Sequence, residues 1–361
     1  MGLVTKLKSI NKKIMPSNLV FGPEWIVLGV NNVCNLHCKM CDVGNDNLES
    51  NFAQNLVGTH PINMPLDLIT TVIDQIAKEY PKSKLAYAFT EPLVYPDLIE
   101  SLIYANNKGV FTSLTTNALT LKQKAVQLSE AGLDELYVSL DGPTNIHNEI
   151  RGHSKSFQKA IEGIRLLAAQ AHVPKIGVIC AITEWNIGYL EELIKELSGL
   201  PITEVAFMHT QFITTKSAQI HNDSKWGALY PAVDSNMDEI DFSKMDLNLL
   251  MDEIHRMKKS DLDFKTFFSP DIKDLGTLKT YYLEPEKILG KYCNAVFTNM
   301  TLKSDGSMIP AHGRCYNLNI GNLYEQSLKE IWSSSTVSKF RGELMDAGGL
   351  FPACARCCSG F

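Results

Sequence analysis

Three cysteines, Cys34, Cys38 and Cys41, lie within eight residues near the amino end of the chain. Their spacing is Cys-x3-Cys-x2-Cys, and they directly follow an apolar run from Trp25 to Val30. Three thiolates this close together can bind three corners of a cubic iron–sulfur cluster and leave one iron without a protein ligand. Such an iron can bind a reactant, whereas a fully ligated cluster mainly carries electrons.

Two other uses of these thiols stay open, a structural zinc site and reduced cysteines of a protein core. Zinc needs a fourth ligand nearby, and His37 lies between the thiols, where it can hardly complete a tetrahedron with all three. The spacing resembles the signature of the radical S-adenosylmethionine (SAM) enzymes. The resemblance implies that the three thiolates bind a [4Fe–4S] cluster and that SAM binds at its open iron, with Met40 among the SAM-binding residues.

The overall composition, 45% hydrophobic and 20% charged residues in a chain of 361, describes an ordinary soluble globular protein. A net charge of −6 argues against nucleic-acid binding, which needs a basic surface. We expect no membrane span, because no apolar run approaches about eighteen residues, and no secretory signal is visible. Nine cysteines without an export signal indicate metal sites in a reducing cytoplasm.

Apolar runs of strand length alternate with helical patterns from residue 25 to about residue 210. The predicted strands are Trp25–Val30, Lys84–Phe89, Val110–Thr115, Glu135–Leu140, Lys175–Ile182 and Thr203–Met208. The predicted helices are Leu66–Tyr80, Asp97–Asn107, Leu121–Ala131, Ser156–Ala171 and Ile187–Leu197. Repeated βα units predict an α/β fold with a parallel sheet, here a partial (β/α)6 TIM barrel. Chemistry in such barrels lies at the carboxyl ends of the strands, where the three cysteines follow the first strand.

The segment before the first strand is basic and partly apolar. Its lysines are Lys6, Lys8, Lys12 and Lys13, and Leu3, Leu7, Ile10 and Ile14 fall at helical spacing. One interpretation is an amphipathic helix that contacts an anionic membrane surface or a partner. We favour a helix that caps the barrel with a solvated basic face, because the segment is short and its apolar stripe is narrow.

The second strand ends in Phe89-Thr90-Glu91-Pro92, which resembles the Gly-Gly-Glu-Pro segment of radical SAM enzymes. The resemblance implies that Glu91 receives the amino end of SAM. Phe89 and Thr90 replace both glycines, so the backbone contacts of that segment are less certain to carry over than the carboxylate. Taken alone, Glu91 would be interpreted as a turn carboxylate before a proline.

Polar residues also follow the third and fourth strands. Thr116 and Asn117 end the third, and strand alternation places Ser139 and Asp141 on one face of the fourth. Ser139 and Asp141 suit the ribose hydroxyls or the methionine end of SAM, and Thr116 and Asn117 are further candidates for SAM binding. The run from Ser139 through Arg151 to Phe157 resembles the matching run of radical SAM enzymes with a carboxyl-terminal auxiliary-cluster domain. The resemblance implies that Arg151 pairs with the SAM carboxylate, although a solvent-facing loop charge is the simpler alternative.

The fifth and sixth strands carry further candidates. Cys180 is interpreted as a small core residue, as lone thiols on apolar strands usually are. Asn186 precedes a predicted helix and is expected to be its N-cap. His209 and Gln211 end the sixth strand, where they either contact a substrate or form a solvated turn.

The remaining chain divides into a connection and a second cysteine group. Residues 215–245 are predicted to be an extended connection, followed by a helix over Leu247–Lys259. Cys293, Cys315, Cys354 and Cys357 flank a β-hairpin with an Asp-Gly turn and a later helix. Residues 293–358 resemble the SPASM/twitch domains of radical SAM enzymes. Seven cysteines are usual there, so the fewer thiols here favour the twitch form with one auxiliary cluster.

The resemblance implies four domains or segments, at residues 1–24, 25–214, 215–288 and 289–361, the last a small α+β twitch domain. Four thiolates imply an auxiliary [4Fe–4S] cluster without an open iron, which carries electrons or staples the fold. A zinc ribbon is the alternative for this group taken alone. Cys358 stays open as an alternative ligand, a catalytic hydrogen-atom donor or an inert neighbour.

The resulting hypothesis is an anaerobic radical SAM oxidoreductase that cleaves SAM reductively to a 5'-deoxyadenosyl radical and abstracts hydrogen from a small molecule. Net oxidation is favoured, as in the aminocyclitol dehydrogenases that share this domain plan, with an external flavodoxin- or ferredoxin-type electron donor. A redox-neutral epimerase and a peptide-modifying enzyme are alternatives. A non-catalytic zinc-binding scaffold is the hypothesis from a different class.

Overall fold

The protein is described by a computed structural model that covers residues 7–361 except residues 9, 12–13, 17–18 and 236–239. Lys6, Lys12, Lys13 and Leu3 of the amino-terminal segment therefore lie outside the described residues. In the described part of that segment, Lys8 forms an ion pair with Glu24 (2.8 Å), and Leu7, Ile10 and Ile14 are exposed. Its role as a cap of the barrel or as a membrane contact stays a prediction.

Ten strands form one sheet within the described residues. They are β1 (Trp25–Leu28), β2 (Lys84–Tyr87), β3 (Thr112–Thr116), β4 (Glu135–Ser139), β5 (Lys175–Ile182), β6 (Glu204–His209), β7 (Lys265–Ser269), β8 (Asn299–Leu302), β9 (Ser307–Pro310) and β10 (Gly321–Asn322). Their order is β10-β9-β8-β1-β2-β3-β4-β5-β6-β7, and every neighbouring pair from β8 through β7 is parallel. The predicted partial barrel is confirmed, and all six predicted strands are present.

Helices cover the sheet between consecutive strands. Those of the barrel are α1 (Asn51–Leu56), α2 (Leu66–Glu79), α3 (Leu98–Asn107), α4 (Leu121–Glu130), α5 (Thr144–Ile150), α6 (Ser156–Ala168) and α7 (Leu190–Leu197). Those that follow are α8 (Thr215–Asn222), α9 (Leu247–Met257), α10 (Leu275–Leu283), α11 (Leu328–Trp332) and α12 (Ser335–Asp346). Among the described helices, none combines the length and apolarity that crossing a membrane requires.

The barrel core forms because each crossover helix presents one apolar stripe to a sheet that is itself apolar. In α2, Leu68, Ile69, Val72, Ile73 and Ile76 are buried, at the three- and four-residue spacing of one helix face. Alternate residues of the strands point to opposite faces of the sheet. The rigid sheet therefore brings its carboxyl ends, and the loops that follow them, to one rim.

Two parts of the sheet were not predicted from sequence. β7 pairs with β6 as a seventh parallel strand, in the region whose way of closing the barrel the sequence leaves open. The predicted hairpin of the auxiliary domain is present as β8 and β9, but β8 also pairs with β1. The auxiliary domain thus continues the sheet of the barrel, because β1 would otherwise leave its backbone donors and acceptors unpaired along one edge.

Two predictions from sequence were wrong. Residues 215–245 are not simply extended, because α8 begins there, with the Thr214 side chain accepting from the Ser217 amide as its N-cap. Asn186 is not the N-cap of α7, which begins at Leu190. Asn186 instead is buried and donates to the carbonyl oxygens of Asp141 and Ala181, both at 2.7 Å, which joins the loops after β4 and β5.

Candidate active site

The loop after β1 holds the first three cysteines beside two nitrogen donors. Asn117 Nδ2 lies 3.9 Å from Cys34 Sγ, and Arg151 Nη1 lies 3.7 Å from Cys38 Sγ. Burial raises the pKa of the Cys38 thiol to about 12, and the neighbouring Cys41 thiol contributes to the rise. Nitrogen donors beside these sulfur atoms suit thiolates that bind a metal. The positive metal offsets the free-energy cost of placing a charged thiolate away from water. His37 is exposed, which agrees with its exclusion as a ligand.

The Arg151-Gly152 pair is placed against this loop by backbone geometry. Gly152 has φ of 67°, in the left-handed region, and a Cβ there would lie 2.8 Å from the His37 carbonyl oxygen. Before it, buried His147 accepts from the Asp141 amide (3.1 Å) and hydrogen-bonds with Ser156 Oγ (3.0 Å). His147 was not predicted from sequence as a site residue. Its two hydrogen bonds connect the end of β4 to the start of α6, on either side of the loop that carries Arg151.

Arg151 and Asp141 form a buried ion pair, with Nε 2.5 Å from Oδ2. The other oxygen of Asp141 accepts from the Ala181 amide at 2.9 Å. Both oxygens of Asp141 are therefore engaged within the protein, and they fix the Arg151 guanidinium at the rim beside Cys38. A direct contact of Asp141 or Ser139 with SAM stays a prediction.

Glu91 follows β2 and is buried. Its Oε1 accepts from Thr116 Oγ1 (2.6 Å) and the Leu93 amide (2.9 Å), and its Oε2 accepts from the Asn117 amide (2.8 Å). Burial raises the pKa of Glu91, and these hydrogen bonds oppose the rise. A buried carboxylate that is held rigidly beside the cysteine loop fits a site for a cationic amino group.

Phe89 explains how the chain departs from the Gly-Gly-Glu-Pro pattern. Its φ is 88°, so the backbone keeps the left-handed conformation that favours glycine. The ring packs edge-on against Phe52 (centroids 6.4 Å apart), and a Cβ added to Gly313 would lie 3.0 Å from it. The side chain that replaces glycine therefore fills space between the barrel and the auxiliary domain.

A cavity of about 370 Å³ opens at the rim beside the cysteine loop. We call it the mouth cavity, and its lining residues are Met40, Ala181, Met208, His209, Thr210, Gln211 and Arg314. The two substrate candidates from sequence, His209 and Gln211, both line it. His209 is buried, its Nδ1 lies 2.8 Å from Tyr282 Oη, and its Nε2 makes no hydrogen bond with the described residues.

The second group of cysteines lines a separate cavity of about 630 Å³. Cys293, Cys315, Cys354 and Cys357 meet there, and we call this the auxiliary site. Burial and the neighbouring thiols raise the pKa of Cys293, Cys315 and Cys354. Four partly buried thiols that line one cavity have the donor set of a fully ligated cluster. Gln211 and Arg314 line this cavity as well as the mouth cavity.

Cys358 lies beside the auxiliary site. Its Sγ, the Sγ of Cys357 and a ring nitrogen of His312 all lie within 4.8 Å of one another. Cys358 is absent from the described residues that line the mouth cavity. This position favours the role of an alternative ligand or inert neighbour, and the role of a hydrogen-atom donor stays a prediction. Cys180 is buried in the hydrophobic core, as predicted.

Two family models match the chain. Residues 29–197 match the radical SAM superfamily, and residues 293–358 match an iron–sulfur cluster-binding domain named SPASM. The chain belongs to the radical SAM superfamily. As a radical SAM enzyme with a SPASM domain, it uses SAM with a [4Fe–4S] cluster in the barrel and has auxiliary iron–sulfur binding in the carboxyl-terminal domain.

The relatives of this radical SAM enzyme include two curated proteins. A tungsten-containing aldehyde ferredoxin oxidoreductase cofactor-modifying protein of Pyrococcus furiosus is 23% identical over 357 residues, covering 92% of this chain and 87% of the relative. An AdoMet-dependent heme synthase of Oleidesulfovibrio alaskensis is 28% identical over 176 residues, covering 47% of this chain and 41% of the relative.

Solved structures of similar fold include Streptococcus suis SuiB bound to precursor peptide SuiA, with 16% identity and a TM-score of 0.63. The match covers 98% of this chain and 75% of SuiB. Native anSMEcpe with bound AdoMet has 18% identity and a TM-score of 0.57, over 88% of this chain and 82% of that one. These similarities support the fold of the barrel and of the auxiliary domain.

Three residues of this enzyme that connect its parts were missed from sequence. Asn55 of α1 donates to the carbonyl oxygens of Gly313 (2.9 Å) and Cys315 (2.8 Å), so the barrel holds the loop of an auxiliary cysteine. Arg314 Nη1 lies 3.6 Å from Asp42 Oδ2, and Arg356 is buried against α10. A polar residue directly beside a cysteine is the only signal the sequence offers, and it fits Arg314 and Arg356 but not Asn55.

Proposed function

We propose that this radical SAM enzyme dehydrogenates a small molecule held in the mouth cavity, in a net oxidation. The observation that carries the proposal is that Gln211 and Arg314 line both the mouth cavity and the cavity of the auxiliary site. A substrate in the mouth cavity would then be separated from the auxiliary cysteines by these side chains. This shared lining supports electron transfer from the substrate to the auxiliary cluster.

The ligand assignments are part of the proposal. We assign Cys34, Cys38 and Cys41 to the SAM-binding cluster, and Cys293, Cys315, Cys354 and Cys357 to the auxiliary cluster. When bound, SAM and its cluster supply the carbon radical that abstracts hydrogen, and the auxiliary cluster supplies an electron acceptor.

The remaining site residues orient SAM and exclude water. Arg151, fixed by Asp141, would pair with the SAM carboxylate in a charge-assisted hydrogen bond. Glu91 would accept from the SAM ammonium group, which gives this buried carboxylate a counter-charge. Met40 lines the mouth cavity, while Thr116 and Asn117 contribute by holding Glu91 in place.

His209 and Gln211 are the proposed substrate contacts. His209 lies at the wall of the mouth cavity, and its buried Nε2 makes no hydrogen bond with the described residues. The mouth cavity is lined by both apolar and polar side chains, as small-molecule sites usually are. The names of the two curated relatives, a cofactor-modifying protein and a heme synthase, refer to a cofactor and to heme, which supports a substrate of this chemical class.

The test is anaerobic reconstitution with dithionite and SAM, followed by measurement of 5'-deoxyadenosine. The wild-type enzyme should contain about eight irons per chain, from two four-iron clusters. Simultaneous replacement of Cys34, Cys38 and Cys41 by Ala should abolish SAM cleavage. Continued cleavage by this triple variant would show that the ligand assignment is wrong.

The role of the auxiliary site is tested with Cys293→Ala and Cys354→Ala. Both variants should keep SAM cleavage and lose the oxidised product when metabolite fractions of low molecular mass are supplied. Equal loss of cleavage and product would indicate a purely structural role. Product formation that depends on a peptide fraction would favour peptide modification instead. A product that gains a solvent hydrogen without being oxidised would favour epimerisation.

A further inference from the structure

Two hydrogen-bonding side chains lie beside sulfur atoms of the auxiliary site. His312 Nε2 lies 3.5 Å from Cys357 Sγ, and Tyr316 Oη lies 3.5 Å from Cys354 Sγ. Both side chains line the cavity that the four thiols share. His312 and Tyr316 belong to the loop that also carries Cys315. From this loop they approach both cysteines of the last Cys-x2-Cys pair, Cys354 and Cys357.

The tautomer of His312 is fixed by a backbone hydrogen bond. The Arg314 amide donates to His312 Nδ1 at 3.1 Å, so Nδ1 carries no proton. A neutral imidazole has one N–H group, which must then be at Nε2. Nε2 is the atom that faces Cys357, so His312 donates an N–H···S hydrogen bond to this sulfur.

Tyr316 is the donor in the second hydrogen bond when Cys354 is a metal-bound thiolate, because that sulfur has no proton to give. The ring is held in place by packing. It stacks on His221 with centroids 5.2 Å apart and meets Phe351 edge-on at 5.8 Å. A hydroxyl fixed in this way keeps its direction toward the sulfur.

We propose that His312 and Tyr316 raise the reduction potential of the auxiliary cluster and so poise it to accept an electron, a role that rests on the proposed function. Reduction adds negative charge to the cluster and its sulfur ligands. Hydrogen bonds donated to those sulfurs stabilise the added charge and make reduction more favourable. Both residues act through cluster ligands and are therefore positioning residues.

The experiment is an EPR-monitored redox titration of the reconstituted holoenzyme. Tyr316→Phe removes the hydroxyl and keeps the ring, and His312→Leu removes the N–H donor. Each loss is expected to disfavour reduction of the auxiliary cluster about tenfold, which corresponds to a potential lower by about 59 mV for a one-electron couple. The potential of the auxiliary cluster should be lower still in the double variant. The SAM-binding cluster, recognised by the response of its EPR signal to added SAM, should keep its potential.

His312→Gln is the matched control, because its amide nitrogen can take the place of Nε2, and its potential should stay near that of the wild type. Unchanged potentials in Tyr316→Phe and His312→Leu would overturn the proposal. A strong nitrogen coupling in pulsed EPR of the wild-type auxiliary cluster would also overturn the assignment of His312, since it would show direct ligation. If the His312→Leu variant loses the iron of the auxiliary cluster, the potential of Tyr316→Phe still tests the proposal. A lowered potential would support it and an unchanged potential would overturn it. A redox-neutral reaction would contradict the proposed function and leave these potentials measurable.

Discussion

His209 combines complete burial with a free ring nitrogen at the wall of the mouth cavity. Burial lowers the pKa of His209 from 6.5 to about 3, so the ring is neutral at physiological pH. Its ring packs against both Tyr281 and Tyr282, with centroids 5.5 and 5.7 Å away. A neutral imidazole in a fixed orientation suits a hydrogen bond to a substrate better than it suits proton transfer.

The depressed pKa of His209 predicts how stability depends on pH. As the pH falls, the unfolded chain binds the proton first, near pH 6.5, while the folded protein resists it until about pH 3. The stability that this group contributes is therefore complete above about pH 6.5 and is lost as the pH falls toward about 3, by at most about 5 kcal/mol.

His209→Asn keeps a polar partner for Tyr282 and does not titrate. Its free energy of unfolding should therefore fall less steeply than that of the wild type as the pH is lowered from about 7 to about 4, measured by urea denaturation. His255→Asn, at an exposed position of α9, is the control for loss of a histidine. Parallel profiles for wild type and His209→Asn would refute the prediction.

At the scale of elements, Arg356 connects the last cysteine loop to the carboxyl end of α10. The last turn of a helix leaves carbonyl groups without intrahelical partners. The guanidinium donates to the carbonyl oxygens of Thr280, Tyr281, Glu284 and Lys287. One side chain therefore caps α10 and fixes the loop between Cys354 and Cys357.

Arg356→Lys should lower the free energy of unfolding by about 3 kcal/mol, because a single ammonium group cannot reach all four carbonyl oxygens. The measurement is chemical denaturation of the reconstituted protein, with iron content determined in parallel. Arg165→Lys, at an exposed position of α6, is the matched control and should change stability by less than about 0.5 kcal/mol. A loss below about 1 kcal/mol for Arg356→Lys would contradict the prediction.

The elements differ in how far the sequence could predict them. The strands and helices of the barrel have clear periodicity, and the structure confirms them within a few residues. The predictions for Asn186 and for the region of α8 were wrong because tertiary contacts determine both. Asn186 is a buried side chain with partners in another loop, and α8 is a helix of mostly polar residues. β7 has exposed residues along much of its length, so its short apolar run is a weaker strand pattern than those of the other strands.

The whole molecule is built on one sheet that crosses the predicted domain boundary at residue 289. β8 pairs with β1 over four residues, and Trp332 of α11 donates from its indole to the Phe21 carbonyl oxygen at 2.8 Å. Asn55 adds hydrogen bonds from α1 to the loop of Cys315. We therefore expect the barrel and the auxiliary domain to fold as one cooperative unit.

A chain truncated after residue 288 should fail to form a native monomer, because β1 becomes an unprotected edge strand beside exposed apolar surface. Size-exclusion chromatography and far-ultraviolet circular dichroism would detect aggregation and loss of native structure. The full chain with Cys293→Ser and Cys354→Ser is the control, since it loses the auxiliary cluster and keeps β8. A monomeric truncated barrel with native circular dichroism would show that the two domains are independent.

The sequence alone determined the superfamily, the barrel and the two groups of cysteines, because cluster ligation requires particular side chains at short fixed spacings and barrel strands require apolar runs. The tertiary structure decided which polar groups meet. It paired Asp141 with Arg151 and brought Gln211 and Arg314 to both cavities. It also turned His312 and Tyr316 toward the auxiliary sulfurs. Most of these contacts join residues far apart in the chain, and their geometry depends on how the sheet and its loops pack.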